Sequence, residues 1–137
     1  MSTPTLELRN LEVAYTVRGI DREVLRTISL SIEPGEAYGL VGESGCGKST
    51  AAYAAMRYLP RNGKITGGSI LFEGRDMVTM SDGEVSELRN SVISMVYQNP
   101  VAALNPTIRV GDQVAEVFEL AGKSKSEAKK LTLEALV

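Results

Sequence analysis

Hydrophobic and polar residues alternate near the start of the chain, as they do in strands that have one buried face. The hydrophobic positions are Leu6, Leu8, Leu11, Val13 and Tyr15. Asn10 interrupts the alternation, so the pattern predicts one or two strands there. After a connecting turn over residues 17–22, a second alternation runs through Ile28, Leu30 and Ile32. We therefore expect a β-rich start to the chain.

Two short, mostly hydrophobic runs predict strands of a second kind, buried in a core sheet. One run covers residues 37–41 and follows the Pro34-Gly35 turn, and the other covers residues 92–97 and ends at Gln98. Ligands of open α/β sheets bind at the carboxyl ends of the strands, so this pattern places Gln98 beside a ligand site.

One further strand is predicted over residues 69–72. Gly67-Gly68 marks a turn before it, and Gly74 closes it. This strand joins the earlier alternating ones, so the antiparallel layer consists of segments that lie far apart in the sequence.

Capping signals and periodicity predict the helices. The alanine-rich residues 51–59 favour a helix that Pro60 stops. Two capping boxes open further helices, Ser81 with Glu84 and Ser124 with Glu127. A fourth helix, after a loop flanked by two Asn-Pro pairs, carries Val110, Val114, Val117 and Ala121 and ends at Gly122.

The last predicted helix keeps its hydrophobic face to the end of the sequence. Ala128, Leu131 and Ala135 form that face, and Val137 follows with neither a cap nor a stop signal. We therefore expect residues outside this sequence to cover the face, as in a truncated domain.

Composition indicates an ordinary globular protein. The 137 residues are 43% hydrophobic and 23% charged, with a net charge of -2, which gives no basic footprint for nucleic acid. The polar N-terminus is unlike a signal peptide, and no hydrophobic run reaches the length of a membrane span, so we expect a cytosolic chain without direct membrane insertion. The single cysteine, Cys46, cannot form an internal disulfide.

Residues 42–50 read Gly-Glu-Ser-Gly-Cys-Gly-Lys-Ser-Thr and fit the pattern of a phosphate-binding loop. The glycines let successive backbone N–H groups converge on phosphate oxygens. Lys48 adds a positive charge, and the Ser49 hydroxyl suits a magnesium ion. The following helix directs its positive N-terminus at the same phosphates. The alternative is a glycine-rich turn that binds nothing, and Cys46 is interpreted as a tolerated small residue rather than a catalytic thiol.

Three motifs together resemble the ATP-binding cassette (ABC) family of transport ATPases. They are the loop, or Walker A motif, the Q-loop segment Val96-Tyr97-Gln98-Asn99-Pro100, and Leu104-Asn105-Pro106. They are most similar to the oligopeptide, dipeptide and nickel importer branch. The resemblance implies an α/β fold, with a partial P-loop NTPase core, an antiparallel β subdomain and the start of an α-helical subdomain.

The resemblance also implies a domain assignment. Residues 1–137 would form the N-terminal half of an ABC nucleotide-binding domain, ending before its signature motif and its Walker B carboxylates. The sequence has no histidine to act as the family's switch residue. The resemblance therefore places no catalytic residue in this stretch, and we expect the chain alone to bind nucleotide weakly and hydrolyse little or none.

ATP and Mg²⁺ are the cofactors that the resemblance implies. The implied ATP-binding residues are Tyr15, Gly42, Glu43, Ser44, Gly45, Cys46, Gly47, Lys48, Ser49 and Thr50. Tyr15 would stack on adenine, Lys48 and the loop amides would hold the β- and γ-phosphates, and Thr50 would approach the α-phosphate. Ser49 and Gln98 would contact the magnesium ion. The alternatives are an ordinary strand tyrosine at 15 and a glutamine that only caps a strand at 98.

For the complete protein, the resemblance implies an ATP-hydrolysing subunit of an importer for peptides or nickel. Its partners would be membrane-spanning permease subunits and a second ATP-binding subunit, at the inner face of the cell membrane. Two other functions stay open from the sequence. One is a short, non-hydrolytic nucleotide-binding module, and the other is an unrelated P-loop kinase.

Overall fold

A computed structural model describes residues 2–137. The chain forms two compact units, one reaching to Val85 and the other running from Ser86 to Val137. Its elements are β1 (Leu6–Val17), β2 (Ile20–Ile32), α1 (Lys48–Ala55), β3 (Gly63–Phe72), β4 (Arg75–Asp76), α2 (Asp82–Ser91), α3 (Pro100–Ala103), α4 (Val110–Leu120) and α5 (Lys125–Leu136).

The first unit is built on a four-stranded sheet with the order β2-β1-β3-β4. Every neighbouring pair is antiparallel, which confirms the predicted antiparallel layer. A two-residue turn, Arg18-Gly19, joins β1 to β2, with φ angles of 53° and 77°. These angles suit a tight hairpin turn, so Asp21 and Arg22 belong to β2 rather than to the predicted connection.

A bulge at Asn10 explains the interrupted alternation in β1. Asn10 has a φ of 46°, and the pairing of β1 with β2 shifts register between Leu8 and Leu11. Because of the extra residue, Leu8 and Leu11 are both buried although they are three positions apart. The predicted one or two strands are therefore a single bulged strand.

The turn predicted at Gly67-Gly68 is wrong, since both glycines lie inside β3. Gly68 has a φ of 79°, and a Cβ there would clash with the carbonyl oxygens of Arg9 and Asn10. The glycine is needed because the β1 backbone passes close to β3 at the bulge. A turn and a bulge both select glycine, so the sequence alone does not separate them.

The sheet, helix α1, the segment after β4 and the start of α2 all supply residues to the core of the first unit. α1 contacts β1 and β2. The buried hydrophobic residues of this unit are Leu8, Leu11, Val13, Ala14, Leu25, Ala51, Ala54, Ile70, Phe72, Met77, Met80 and Val85. Each Å² of hydrophobic surface that is removed from water contributes about 25 cal/mol to the stability of this arrangement.

The two predicted core strands are absent from the part of the chain that the structure describes. Residues 37–41 and 92–97 are outside any helix or strand apart from a turn at Val92. Val41 is 99% exposed and Val96 is 91% exposed. A strand of a core sheet needs neighbouring strands on its edges, and the four described strands pair only with one another. Gln98 consequently follows an irregular segment.

The second unit contains α3, α4 and α5, with α4 and α5 in contact. Gly122, with a φ of 85°, follows the end of α4 as predicted. The Ser124 hydroxyl accepts from the Glu127 N–H at 3.3 Å and the Ser124 N–H donates to the Glu127 carboxylate at 3.2 Å, which confirms the capping box. α3 occupies the predicted loop between the two Asn-Pro pairs. None of the helices in residues 2–137 is both long and apolar enough to cross a membrane.

Candidate functional site at the phosphate-binding loop

The loop turns sharply into helix α1 through two left-handed glycines. Gly45 has a φ of 81° and Gly47 a φ of 97°. Gly47 is the N-cap of α1, and a Cβ at this position would come within 2.8 Å of the Leu25 Cδ2 in β2. The left-handed backbone angle favours glycine at 47, and a Cβ there would require the Leu25 side chain to move, so the start of α1 lies directly against the sheet.

The N-terminus of α1 differs from those of α2 and α5 in having no side-chain cap. Gly47 offers no side chain to the first N–H groups, and the first turn contains no acidic residue. The first N–H groups of an α-helix have no partner within the helix. Together with the helix dipole, these groups form an environment that favours an anion.

Lys48 folds back over the loop. Its Nζ donates to the carbonyl oxygens of Gly42 at 2.6 Å and Glu43 at 2.7 Å, and it lies 3.4 Å from the Cys46 Sγ. Among residues 2–137, no carboxylate lies within ion-pair distance of Lys48. Its positive charge therefore stays available to an anion at the start of α1.

Tyr15 lies beside the first turn of α1. Its phenolic oxygen is 3.4 Å from the Thr50 Oγ1, and the pair is partly buried. Gly63 makes room for the ring, because a Cβ at 63 would come within 2.9 Å of the Tyr15 Cε1. The structure thus brings Tyr15 and residues 42–50, all predicted site residues, into the same unit.

The two predicted magnesium ligands lie in different units. Ser49 is exposed on the first turn of α1, and its hydroxyl is the hard oxygen ligand that Mg²⁺ prefers. Mg²⁺ usually keeps several waters and takes few protein ligands, so a single hydroxyl from this unit fits the ion. Gln98 is exposed in the second unit, just before the α3 cap Asn99.

One residue in the first unit, Arg57, carries no functional signal in the sequence and lies at the end of α1 opposite the phosphate-binding loop. This residue follows the end of α1, and its guanidinium donates to the carbonyl oxygens of Met77 and Met80 and to the Asp82 carboxylate. Hydrophobic periodicity does not predict hydrogen bonds between an arginine and backbone carbonyl groups that lie twenty or more positions away in the sequence. α1 itself ends at Ala55, so Pro60 does not stop it as predicted.

Comparison with known proteins identifies the family. The model of the ABC transporter family matches residues 25–136. The chain belongs to the ABC transporter family. It is 41% identical over 133 residues to the dipeptide transport ATP-binding protein DppD of Bacillus subtilis, covering 96% of this chain and 40% of that protein. It is 42% identical over 124 residues to the oligopeptide transport ATP-binding protein OppD of Salmonella typhimurium, covering 90% and 37%. The chain thus spans about two fifths of the length of these ABC relatives.

A solved ABC structure has a similar fold. The chain matches the ATP-binding cassette MJ0796, described as a dimeric post-hydrolysis state bound to ADP and Pi, with a TM-score of 0.77 at 24% identity. The match covers 96% of this chain and 55% of that chain. The likeness confirms the predicted α/β fold class, with its antiparallel β part and helical part.

Proposed function

We propose that this chain is the ATP-binding part of a subunit of an ABC importer for peptides. Residues 1–137 would be the N-terminal half of its nucleotide-binding domain. The names of the relatives, dipeptide and oligopeptide transport ATP-binding proteins, support peptides rather than nickel as the cargo. Membership of the ABC family rules out the unrelated kinase.

The observation that carries this proposal is the arrangement of Lys48 above the loop. Its Nζ is held by the carbonyls of Gly42 and Glu43, at the open N-terminus of α1. A phosphate group arriving there would meet an ammonium group and several N–H donors at once. In this proposal Lys48 and the loop amides of residues 42–47 hold the β- and γ-phosphates.

The remaining site residues are assigned by position. Tyr15, beside Thr50, would stack on the adenine, and Thr50 would approach the α-phosphate. Ser49 would contact Mg²⁺, which supplies charge neutralisation at the phosphates when it is bound. The exposed hydroxyl of Ser49 is suited to this role because the ion takes oxygen ligands.

Hydrolysis and transport would belong to the complete protein. Phosphoryl transfer to water depends on carboxylates that hold the metal and orient the water, and we assign no such residue within residues 1–137. The complete subunit would act in the cytoplasm, at the inner face of the membrane, with permease subunits and a second ATP-binding subunit. The dimeric state of the MJ0796 cassette supports such pairing.

The test is equilibrium binding of ATP to the 137-residue chain, with and without Mg²⁺, followed by a thermal melt. We expect saturable binding and a higher melting temperature with ATP and Mg²⁺. Lys48→Ala should abolish binding. Lys64→Ala removes an equal charge from β3, where it pairs with Asp21 at 2.6 Å, and should bind ATP normally. Equal binding by the Lys48→Ala variant and the unaltered chain would refute the proposal.

A further inference from the structure

Helix α1 ends in a motif that normally selects glycine. The Tyr58 N–H donates to the Tyr53 carbonyl and the Arg57 N–H to the Ala54 carbonyl, both at 2.8 Å. These two bonds define a Schellman motif, whose left-handed position is usually glycine. Here that position is Arg57, with a φ of 49°. A side chain at this backbone angle is unfavourable, so the arginine needs compensating contacts.

The guanidinium group of Arg57 supplies those contacts. Its Nη1 donates to the carbonyl oxygens of Met77 at 3.0 Å and Met80 at 2.5 Å, and its Nη2 donates to the Asp82 Oδ1 at 2.9 Å. The arginine side chain is only 25% exposed. The guanidinium group is planar and holds several N–H donors in fixed directions, so it can bond three acceptors at once. A lysine ammonium is a compact point charge and does not match this arrangement.

Met77 and Met80 belong to the segment that leads from β4 into α2, and Asp82 is the first residue of α2. Met77 and Met80 are core residues, so their backbone is fixed by packing. Arg57 therefore fastens the end of α1 to a rigid part of the first unit. The start of α1 lies close to β2, where a Cβ at Gly47 would come within 2.8 Å of the Leu25 Cδ2.

We propose that Arg57 is a positioning residue for the nucleotide site. By fixing the end of α1 it holds the orientation of the whole helix, including the N–H groups and Lys48 at its start. A helix transmits a tilt at one end to the other, since its hydrogen bonds keep it rigid over eight residues. The role for nucleotide rests on the proposed function, whereas the anchoring of α1 does not.

Three variants separate this role from a general contribution to stability. Arg57→Gly keeps the left-handed backbone and removes the guanidinium. Arg57→Lys keeps the charge and loses the planar group. Asp82→Asn is the matched control, because it alters only the exposed acceptor and leaves both carbonyl bonds in place.

The first measurement is amide hydrogen exchange of the nucleotide-free 137-residue chain. In Arg57→Gly we expect the α1 amides to exchange about tenfold faster, with β1 and β3 unchanged. The exchange rate of Arg57→Lys should be intermediate, and that of Asp82→Asn should be close to the rate of the unaltered chain.

Millimolar guanidinium chloride should restore protection in Arg57→Gly by filling the vacated position, whereas sodium chloride should not. Equal acceleration across α1 and the sheet, or no rescue by guanidinium, would overturn the proposal. If Arg57→Gly fails to fold, the comparison of Arg57→Lys with Asp82→Asn decides.

The second measurement is the affinity for ATP at a temperature where each variant is folded by circular dichroism. We expect Arg57→Gly to bind ATP about tenfold more weakly, while its affinity for adenosine changes little, because only the phosphates meet the start of α1. An unchanged ATP affinity would overturn the role at the nucleotide site. If the unaltered chain binds no ATP, the proposed function fails, and the exchange experiment still decides whether Arg57 anchors α1.

Discussion

The phenolic oxygen of Tyr15 lies 3.4 Å from the Oγ1 of Thr50, although 35 positions separate the two residues. This contact joins strand β1, which would carry the adenine-stacking ring, to helix α1, which would carry the phosphate-binding groups. In the proposed site, this side-chain contact would hold the adenine-binding ring beside the phosphate-binding helix.

Substitutions of Tyr15 should separate the ring from the hydroxyl. Tyr15→Phe keeps the ring and loses only the contact with Thr50, so we expect less than about a threefold loss of ATP affinity. Tyr15→Ala also loses stacking and should bind ATP at least about tenfold more weakly. Titration with ATP and with inorganic triphosphate measures both, and triphosphate should bind all three proteins similarly. Equal ATP affinity of the Ala variant and the unaltered chain would exclude adenine stacking on Tyr15.

Two loop glycines provide a matched pair for testing the start of α1. Gly45 and Gly47 both have a positive φ, but only at Gly47 would a Cβ meet Leu25. We expect Gly45→Ala to lower the free energy of unfolding by about 1 kcal/mol, from backbone strain alone. Gly47→Ala should lower it by at least about 2 kcal/mol, because overpacking adds to the strain.

Urea denaturation measures both loop variants, and ATP titration at low temperature adds a functional comparison. Gly47→Ala should bind ATP more weakly than Gly45→Ala, since it displaces the N-cap of α1. Equal unfolding free energies for the two variants would contradict the close packing of Gly47 on β2.

A second glycine pair tests the bulge in the sheet. A Cβ at Gly68 would clash with two carbonyl oxygens of β1, whereas one at Gly19 would meet nothing within 4 Å at almost the same φ. We expect Gly68→Ala to lower the free energy of unfolding by about 3 kcal/mol and Gly19→Ala by about 1 kcal/mol. Urea denaturation followed by circular dichroism gives both numbers, and a Gly68→Ala variant as stable as Gly19→Ala would argue against the bulge.

The capping box at the start of α5 predicts a pH dependence. The Ser124 backbone N–H, and after it the Ser124 hydroxyl and the Lys123 charge, hold the pKa of Glu127 below its ordinary value of 4.5. A lowered folded-state pKa stabilises the fold above pH 4.5, and this contribution is lost as the pH falls through the folded-state pKa. The carboxylate of Glu127 should therefore support α5 at neutral pH and not in acid.

Glu127→Gln should test this dependence directly. We expect its melting temperature to lie below that of the unaltered chain at pH 7, with the gap closing as the pH falls below the ordinary pKa. Glu119→Gln makes the same charge change on α4 and serves as the control. A gap that does not narrow as the pH falls below 4.5 would show that ionisation of Glu127 is not its source.

The sequence was sufficient for several features whose signal acts within a few residues, although the local stop signal Pro60 lies beyond the end of α1. Both capping boxes, Ser81 with Glu84 and Ser124 with Glu127, form as predicted, because each is a reciprocal pair three positions apart. The phosphate-binding loop and its helix also follow from local pattern. The alternation of β1 and β2 is local too, since each strand has its own buried face.

The sequence was insufficient wherever distant partners decide. Residues 37–41 and 92–97 have the composition of core strands, but a strand forms only beside another strand. Gly67-Gly68 predicts a turn, but it is the close approach of the β1 backbone that requires glycine at position 68. Arg57 was missed because its importance depends on two carbonyl groups twenty or more positions away.

The bulge at Asn10 also determines where insertions and deletions can be accommodated near the start of the chain. Side chains on a strand alternate between the two faces of the sheet. Removing the extra residue would therefore move either Leu8 or Tyr15 to the opposite face. A chain that lacks Asn10 could not both bury Leu8 and keep Tyr15 beside helix α1. Insertions and deletions should therefore be tolerated at the Arg18-Gly19 turn and rejected between residues 8 and 15, even though no residue between 8 and 14 is assigned to nucleotide binding.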